Sequence, residues 1–221
     1  MIRALIFDFS DTLVNSVEAR TQAFQELARQ FFPLYEGKAR ELMILYLKTD
    51  LLYPHSSARQ VIRRAVQEFC ARQNIVLTID FGAFYTAYRK KVKEYECIRR
   101  SFVDIFPELK KKYHLFILTK EPRKTVEFLL LKAGIPHEEF TEIITGTELK
   151  AWNIPKMSIH LYEYLCERHG LTPDECVMIG DSPLIDILPA NTAGLQTVLF
   201  SPWSTKVTAA LEILAGDDFL G

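Results

Sequence analysis

Short apolar segments that end at small or polar residues alternate with longer amphipathic segments along this chain. Because the apolar segments lack internal apolar–polar alternation, they are typical of strands covered on both faces, as in a parallel sheet. These segments are IRALIFD (2–8), HLFILT (114–119), TEIIT (141–145), CVMIG (176–180) and QTVLF (196–200). Between the later ones, helical spacing that ends at a glycine predicts helices over 124–134, 158–170 and 187–194. The alternation predicts an α/β fold with a Rossmann-like, doubly wound parallel sheet.

The segment from 15 to 100 differs, because no strand interrupts its helical spacing. Amphipathic periodicity predicts four helices there, over 17–32, 39–52, 57–73 and 79–95. Two serines at 56–57 offer an N-cap, and the connections are marked by Pro33, Gly37, Pro54 and Asn74. We therefore predict a core of residues 1–14 and 101–221, with residues 15–100 inserted after the first strand as a helical cap.

The overall composition gives no reason to expect nucleic acid or membrane partners. The formal net charge of the 221 residues is −1, and no apolar run approaches the roughly 18 residues of a membrane span. The four cysteines form neither a CxxC pair nor a Cys/His cluster, so they indicate neither zinc nor a disulfide framework. We therefore expect a protein of the reducing cytoplasm.

Charge is distributed unevenly along the chain. Residues 15–100 carry 15 Lys and Arg against 9 Asp and Glu, whereas the remainder carries 12 against 19. Two interpretations stay open at this stage. The asymmetry is either chance together with two faces that dock, or a basic lid over an acidic, metal-binding site that receives an anionic substrate.

Polar residues follow several of the predicted strands. Asp8 and Thr119 end two of them, and Gly180-Asp181-Ser182 ends a third. Because ligands bind beyond the carboxyl ends of strands in open parallel sheets, we expect Asp8, Asp181 and Asp186 to converge. Three carboxylates in one small volume repel one another unless a cation lies among them, and oxygen-only ligands favour Mg²⁺. Alone, the tripeptide Gly-Asp-Ser would indicate only a helix N-cap.

Four motifs of the chain together resemble those of the haloacid dehalogenase-like (HAD) hydrolase superfamily. They are FDFSDTL (7–13), ILT (117–119), the lysine of IPKMSIHLY (154–162) and GDSPLIDILPANTAG (180–194). The corresponding family pattern is hhhhDxDGTL, hhhT, KPxPxIY and hhGDxxxxDhxxAxxAG, where h is an apolar residue. The resemblance covers the entire chain, and the fourth motif is its most specific part. Within the superfamily, the chain resembles the phosphoglycolate phosphatase-like branch, which has a helical cap inserted after the first motif.

The resemblance implies a nucleophile, a metal site and a phosphate contact. Asp8 would attack phosphorus and become an aspartyl-phosphate, which an ionised carboxylate can do without a base. Mg²⁺ would neutralise the crowded negative charge, held by Asp8, the main-chain carbonyl of Ser10, Asp181 and Asp186. Thr119 would donate a hydrogen bond to a phosphate oxygen.

The family lysine has two candidates in this sequence. Counting back from Asp181 without gaps places Lys156, rather than Lys150, on that position. Lys156 would offset charge on Asp8 and on the transferring phosphoryl group, although a solvated lysine at a helix start is the alternative. Lys120 follows Thr119 where relatives frequently have asparagine, and would face either phosphate or solvent.

Ser10 departs from the family pattern, which has a second aspartate there as general acid and base. A hydroxyl is too weak an acid or base for that role at neutral pH, and such assistance contributes roughly 10²- to 10⁴-fold in rate. We therefore expect slow hydrolysis of alkyl phosphates and of the phosphoenzyme, with a smaller effect on acyl phosphates. Asp11, at the position of the family glycine, either takes over the role or caps the following turn.

The sequence thus predicts a hydrolase that transfers a phosphoryl group from a small phosphorylated or otherwise anionic metabolite, as a monomer or homodimer. One alternative is a non-catalytic module of the same fold that binds a phosphorylated ligand or a protein. Another is a phosphonatase-type C–P bond hydrolase with Lys48 as its imine-forming residue, although Lys48 is also explained as a cap lysine that extends to solvent. Asp181 and Asp186 argue against a haloacid dehalogenase, whose branch lacks the metal carboxylates.

Overall fold

The computed structural model describes residues 1–53, 56–76 and 79–200. Within these residues, one parallel sheet has the strand order β3-β2-β1-β4-β5. Its strands are β1 (Ala4–Phe7), β2 (His114–Leu118), β3 (Glu142–Ile144), β4 (Cys176–Gly180) and β5 (Gln196–Leu199). The strand order reverses between β1 and β4, which is the switch point where open α/β sheets bind ligands.

Helices connect and precede the strands in chain order. The first four are α1 (Ser16–Phe31), α2 (Ala39–Leu52), α3 (Ala58–Arg72) and α4 (Phe81–Tyr95). The others are α5 (Arg100–Lys112), α6 (Arg123–Lys132), α7 (Gly146–Trp152), α8 (Ile159–His169) and α9 (Leu188–Thr192). A single π-helical turn, Pro183–Ile187, lies between β4 and α9.

The sheet is covered on both faces. Since successive side chains of a strand point in opposite directions, alternate residues of β1 enter two different cores. Leu5 and Phe7 pack with apolar side chains of α5 and α6, whereas Ala4 and Ile6 pack with those of α7, α8 and α9. All four residues of β1 are buried, which explains why the strand segments are continuously apolar.

The chain divides into two compact units, one made of residues 1–15 with residue 97 onward and the other of residues 16–96. The second unit contains α1 to α4 around its own apolar core. The Phe24 ring lies 5.6 Å from that of Tyr46 and 5.0 Å from that of Tyr88, centroid to centroid. Aromatic and aliphatic side chains at helical spacing thus build a separate core, independent of the sheet.

Hydrogen bonds join the two chain segments that lead out of and back into the sheet unit. Asn15 N donates to Cys97 O over 3.2 Å, and Cys97 N donates to Asn15 Oδ1 over 2.8 Å. Arg99 N donates to Leu13 O over 2.8 Å, and Val14 and Ile98 form an antiparallel bridge. The unit boundaries therefore fall at 15/16 and 96/97, a few residues from the predicted 14/15 and 100/101.

The predicted α/β fold with a parallel sheet and a helical segment is confirmed. Each predicted strand forms within two residues of its predicted ends, but α5 and α7 were not predicted as separate helices. The helix expected over 187–194 forms only over Leu188–Thr192, because the π-helical turn extends to Ile187. The expected connection at Pro54, and the part of the predicted core after residue 200, lie outside the described residues. In the part of the chain described here, no helix is both long and apolar enough to span a bilayer.

Candidate active site

Three carboxylates and a lysine meet at the carboxyl ends of β1 and β4. Asp8 follows Phe7 directly, and its main-chain N–H donates to Ile179 O over 2.9 Å, which continues the pairing of β1 with β4. Asp181 and Asp186 come from the loop and π-helical turn after β4. One carboxylate oxygen from each of the three residues lies within 4.8 Å of the other two. The structure thus brings together acids from both ends of the sequence.

Lys156 contacts two of these carboxylates. Its ammonium donates to Asp8 Oδ1 and lies 2.8 Å from Asp186 Oδ1. The residue is only 4% exposed, so burial by itself would lower the pKa of Lys156. The charges of Asp8 and Asp186 outweigh that effect and raise the pKa instead, which keeps the lysine cationic. A buried charge of this kind is stable only when it is paired.

Asp8 and Asp181 lie in surroundings that disfavour their ionised forms. Burial raises the pKa of Asp8, which Lys156 opposes and Asp186 reinforces. Partial burial, followed by the charges of Asp8, Asp11 and Asp186, raises the pKa of Asp181 from 3.8 to about 7. Among these neighbours, Lys156 supplies the positive charge that opposes the rise. The cluster therefore carries more negative charge than its own lysine neutralises.

A glycine allows the approach of Asp186. A Cβ atom at residue 180 would lie 2.5 Å from Asp186 Cβ and 2.6 Å from Asp186 Oδ2, so no larger residue fits there. Ser182 N donates to Asp186 Oδ2 over 3.0 Å, and Tyr162 Oη donates to Asp186 O over 3.3 Å. These contacts fix a carboxylate that is 1% exposed beside the cluster.

The donor set fits a magnesium ion. The available ligand atoms are carboxylate oxygens, with no thiolate or imidazole in the group, and hard oxygen ligands suit Mg²⁺. A divalent cation would also offset the burial and the repulsion between acids that together raise the pKa of Asp181. The structure thus brings three of the predicted ligands, Asp8, Asp181 and Asp186, close together, and the carbonyl of Ser10 belongs to the loop that starts at Asp8.

The loop after β2 brings a further carboxylate to the first motif. Ser10 Oγ donates to Glu121 Oε1 over 3.0 Å. Thr119 N donates to Ile144 O over 2.9 Å, and Thr119 Oγ1 accepts from Glu121 N over 3.1 Å. Because the Thr119 hydroxyl oxygen is the acceptor in that bond, its proton can be donated to a ligand. Sequence reasoning missed Glu121, and the available signal was an acid two residues after the threonine of the ILT motif.

The remaining candidates lie elsewhere or have other contacts. Lys120 and Lys150 are exposed. Lys48 is on α2, where its ammonium lies 3.3 Å from Glu68 Oε1. Asp11 has a φ of 63°, which is a left-handed backbone conformation. Aspartate tolerates this conformation better than most residues, so it can stand where the family usually has glycine. Its charge contributes to the raised pKa of Asp181, which places it near the cluster.

Comparisons with known proteins agree with this fold. The family model described as haloacid dehalogenase-like hydrolase matches residues 2–194. N-acylneuraminate-9-phosphatase of Rattus norvegicus is 23% identical over 90% of this chain and 82% of its own length. Phosphoglycolate phosphatase of Pasteurella multocida is 41% identical over 40% of this chain and 37% of its own. The HAD-hydrolase YfnB of Bacillus subtilis, solved bound to magnesium, superposes with a TM-score of 0.71 at 20% identity, covering 92% of this chain and 91% of that protein.

Proposed function

Because the chain belongs to the haloacid dehalogenase-like hydrolase family, we propose that it is a Mg²⁺-dependent phosphatase acting through an aspartyl-phosphate on Asp8. The observation that carries the proposal is the cluster of Asp8, Asp181 and Asp186 around the buried Lys156. Two of the similar proteins, an N-acylneuraminate-9-phosphatase and a phosphoglycolate phosphatase, support a small phosphorylated metabolite as the substrate class.

Asp8 is the proposed nucleophile. A carboxylate oxygen of Asp8 attacks phosphorus, the bond from phosphorus to the leaving oxygen breaks, and water later hydrolyses the acyl phosphate. Lys156 holds Asp8 through its ammonium and supplies positive charge where charge accumulates on the transferring group. Thr119 donates its hydroxyl proton to a phosphate oxygen, from a position fixed by the end of β2.

Asp8, the carbonyl of Ser10, Asp181 and Asp186 would hold the magnesium ion. When bound, the ion supplies charge neutralisation between the attacking carboxylate and the phosphoryl oxygens. Without a carboxylate at position 10, proton transfer to a poor leaving group remains the difficult step, so acyl and aryl phosphates should turn over faster than alkyl phosphates.

Membership of a hydrolase family favours this proposal over the non-catalytic binding module. The phosphonatase alternative requires an uncharged lysine amine to form an imine with an aldehyde. Lys48 instead pairs with Glu68, and its side chain is half exposed, so a solvated ion pair accounts for it. We retain a cytoplasmic monomer or homodimer, with neither nucleic acid nor membrane as partner, as a prediction.

The proposal is tested with p-nitrophenyl phosphate and acetyl phosphate, with and without MgCl₂. We expect turnover that requires the metal and is lost in Asp8→Asn. Asp174→Asn, which removes an exposed carboxylate of the same unit, is the matched control and should retain native turnover. Equal phosphate release by the native protein and Asp8→Asn would refute the proposed nucleophile. Cleavage of phosphonoacetaldehyde that disappears in Lys48→Ala would favour the phosphonatase instead.

A further inference from the structure

The side chain of the half-buried Glu121 contacts the first motif of the chain. It lies two residues beyond the end of the β2 motif and accepts a hydrogen bond from Ser10, two residues beyond Asp8. The register of β1 on β2 pairs Phe7 with Ile117, so these two loops leave neighbouring strands at the same edge of the sheet. A carboxylate and a hydroxyl from separate loops are thus joined directly beside the proposed nucleophile.

Hydrogen bonds hold both the main-chain N–H and the main-chain carbonyl of Glu121. Its N–H donates to Thr119 Oγ1 over 3.1 Å, and its carbonyl accepts from Gly146 N over 2.9 Å. A Cβ at residue 146 would lie 2.1 Å from Lys120 O, so the loop packs directly on the start of α7. Pro122 follows and restricts the backbone of Glu121 to extended angles. The Ser10–Glu121 contact therefore has a rigid support on the Glu121 side.

We propose that Ser10 and Glu121 form a hydroxyl–carboxylate pair that moves the protons of the phosphatase reaction. In this inference, which rests on the proposed function, Glu121 is a positioning residue that acts through Ser10. Of the three acids that converge in the cluster, Asp8 is the nucleophile, and Asp181 and Asp186 are assigned to the metal. The Ser10–Glu121 pair supplies the carboxylate that Ser10 by itself lacks.

The proton transfers balance over one reaction cycle. As Asp8 bonds to phosphorus and the leaving oxygen departs, that oxygen takes the Ser10 Oγ proton. Ser10 then takes back the proton that it passed to Glu121 in the preceding cycle. In the second half, water bonds to phosphorus and the bond from phosphorus to Asp8 breaks. The water gives its proton to Ser10, whose own proton passes to the Glu121 carboxylate. The hydrogen bond between Ser10 Oγ and Glu121 Oε1 joins the two oxygens between which this proton passes.

The test compares Glu121→Gln with the native full-length protein in MgCl₂, on substrates of differing leaving group. Glutamine keeps an acceptor oxygen for Ser10 but exchanges no proton. We expect kcat for an alkyl phosphate such as glycerol 2-phosphate to fall roughly 10- to 100-fold. Phosphorylation of Asp8 by acetyl phosphate, followed by rapid quenching and intact mass, should change less than about twofold, because acetate leaves without a proton. The lifetime of the phosphoenzyme should lengthen by a factor similar to the alkyl phosphate effect.

Ser10→Asp supplies the second arm. A carboxylate at position 10 should make Glu121 dispensable, so adding Glu121→Gln to Ser10→Asp should cost less than about twofold with every substrate. Glu127→Gln is the matched control, because Glu127 is an acid of the same unit on α6 that lies 3.7 Å from Arg123. Thermal melting of each variant verifies that it remains folded.

The outcomes separate the two proposals. An equal loss with all leaving groups, no loss at all, or a loss that persists in the Ser10→Asp background would overturn the role of Glu121. In each of these cases Asp8→Asn would still abolish phosphoenzyme formation. If instead acetyl phosphate adds no phosphate to the native protein, or adds it equally to Asp8→Asn, the proposed function itself fails.

Discussion

Single residues decide how closely the acidic groups of the site can approach. Gly180 is the clearest case, because the main chain there leaves no room for a methyl group beside Asp186. The requirement is spatial rather than conformational, since Gly180 is not among the residues with positive φ. The glycine of the GDS motif is therefore explained by the carboxylate that lies against it.

Gly180→Ala should displace Asp186 and weaken the proposed metal site. We expect magnesium affinity to fall roughly 10- to 100-fold and the free energy of unfolding to fall by about 1–3 kcal/mol. Activity titrated with MgCl₂ and urea unfolding measure the two effects. Gly37→Ala is the matched control, because a Cβ there meets no atom within 4 Å. Unchanged magnesium affinity in Gly180→Ala would contradict this account of Asp186.

The charge of Asp181 predicts how stability depends on pH. Because its pKa is raised from 3.8 to about 7, the metal-free folded protein binds this proton more tightly than the unfolded chain does. The resulting stabilisation is fully present below pH 3.8 and is lost as pH rises through about 7. We expect the Tm of the metal-free protein to fall between about pH 6 and 8, and MgCl₂ to raise Tm more at pH 8.

The measurement is a thermal melt at both pH values, with MgCl₂ or with a chelator. Asp181→Asn should weaken both the pH dependence and the magnesium effect, because no proton or charge remains at that position. Asp174→Asn, an exposed aspartate, should behave as the native protein does. A magnesium-induced rise in Tm that is the same at both pH values would contradict the assignment of Asp181.

At the scale of elements, loops after strands carry the chemistry, and helix starts fix those loops. Thr145 and Glu148 form a capping box at the start of α7, and Gly146 there packs on the main chain of Lys120. The loop that positions Thr119 and Glu121 is therefore supported by a neighbouring helix as well as by its own Glu121–Thr119 hydrogen bond. A local sequence window does not contain this information, because the two segments are separated along the chain.

The start of α3 shows an element that its own sequence defines. Ser57 accepts from Gln60 N and Gln60 Oε1 accepts from Ser57 N, which completes a capping box. Ser57→Ala should lower the free energy of unfolding by about 1 kcal/mol, since an N-terminal amide loses its acceptor. The adjacent Ser56→Ala is the matched control and should cost less than about 0.5 kcal/mol. Urea denaturation followed by circular dichroism measures both variants. Equal losses of the free energy of unfolding in Ser57→Ala and Ser56→Ala would contradict the role of the cap.

At the scale of the whole molecule, two compact units have separate apolar cores. The helical unit keeps Phe24, Phe69 and Phe84 fully buried among its own helices. Its entry and exit segments are joined by the Asn15–Cys97 hydrogen bonds, so the insertion begins and ends at one place.

A fragment of residues 16–96 should therefore fold on its own. We expect a helical circular dichroism spectrum and a cooperative thermal transition, because its buried side chains contact one another within the unit. Phe24→Ala should cost about 3–5 kcal/mol and unfold the fragment, whereas Leu34→Ala, at a residue that is 91% exposed, should have little effect. A non-cooperative melt of the unaltered fragment would refute the independence of this unit.

The class of fold, the strand segments, the helical insertion and the family were all predicted from the sequence pattern. Continuous apolar runs and helical periodicity are local consequences of burial, so they can be read without a structure. The resemblance also identified Asp8, Asp181, Asp186 and Lys156, and the structure places them together. Their roles with magnesium and phosphate remain predictions until the assays above are done.

The folded structure was needed to identify which side chains, distant in the sequence, contact each other. It joined Glu121 to Ser10 and placed Asp186 against Gly180. It also put residues 97–100 with the sheet unit, through pairing with the loop after β1. Such contacts depend on strand order and on loops held by neighbouring elements, whereas hydrophobic periodicity records only whether a residue is buried. That physical difference is why the acidic core of the site was predictable and its hydroxyl–carboxylate pair was not.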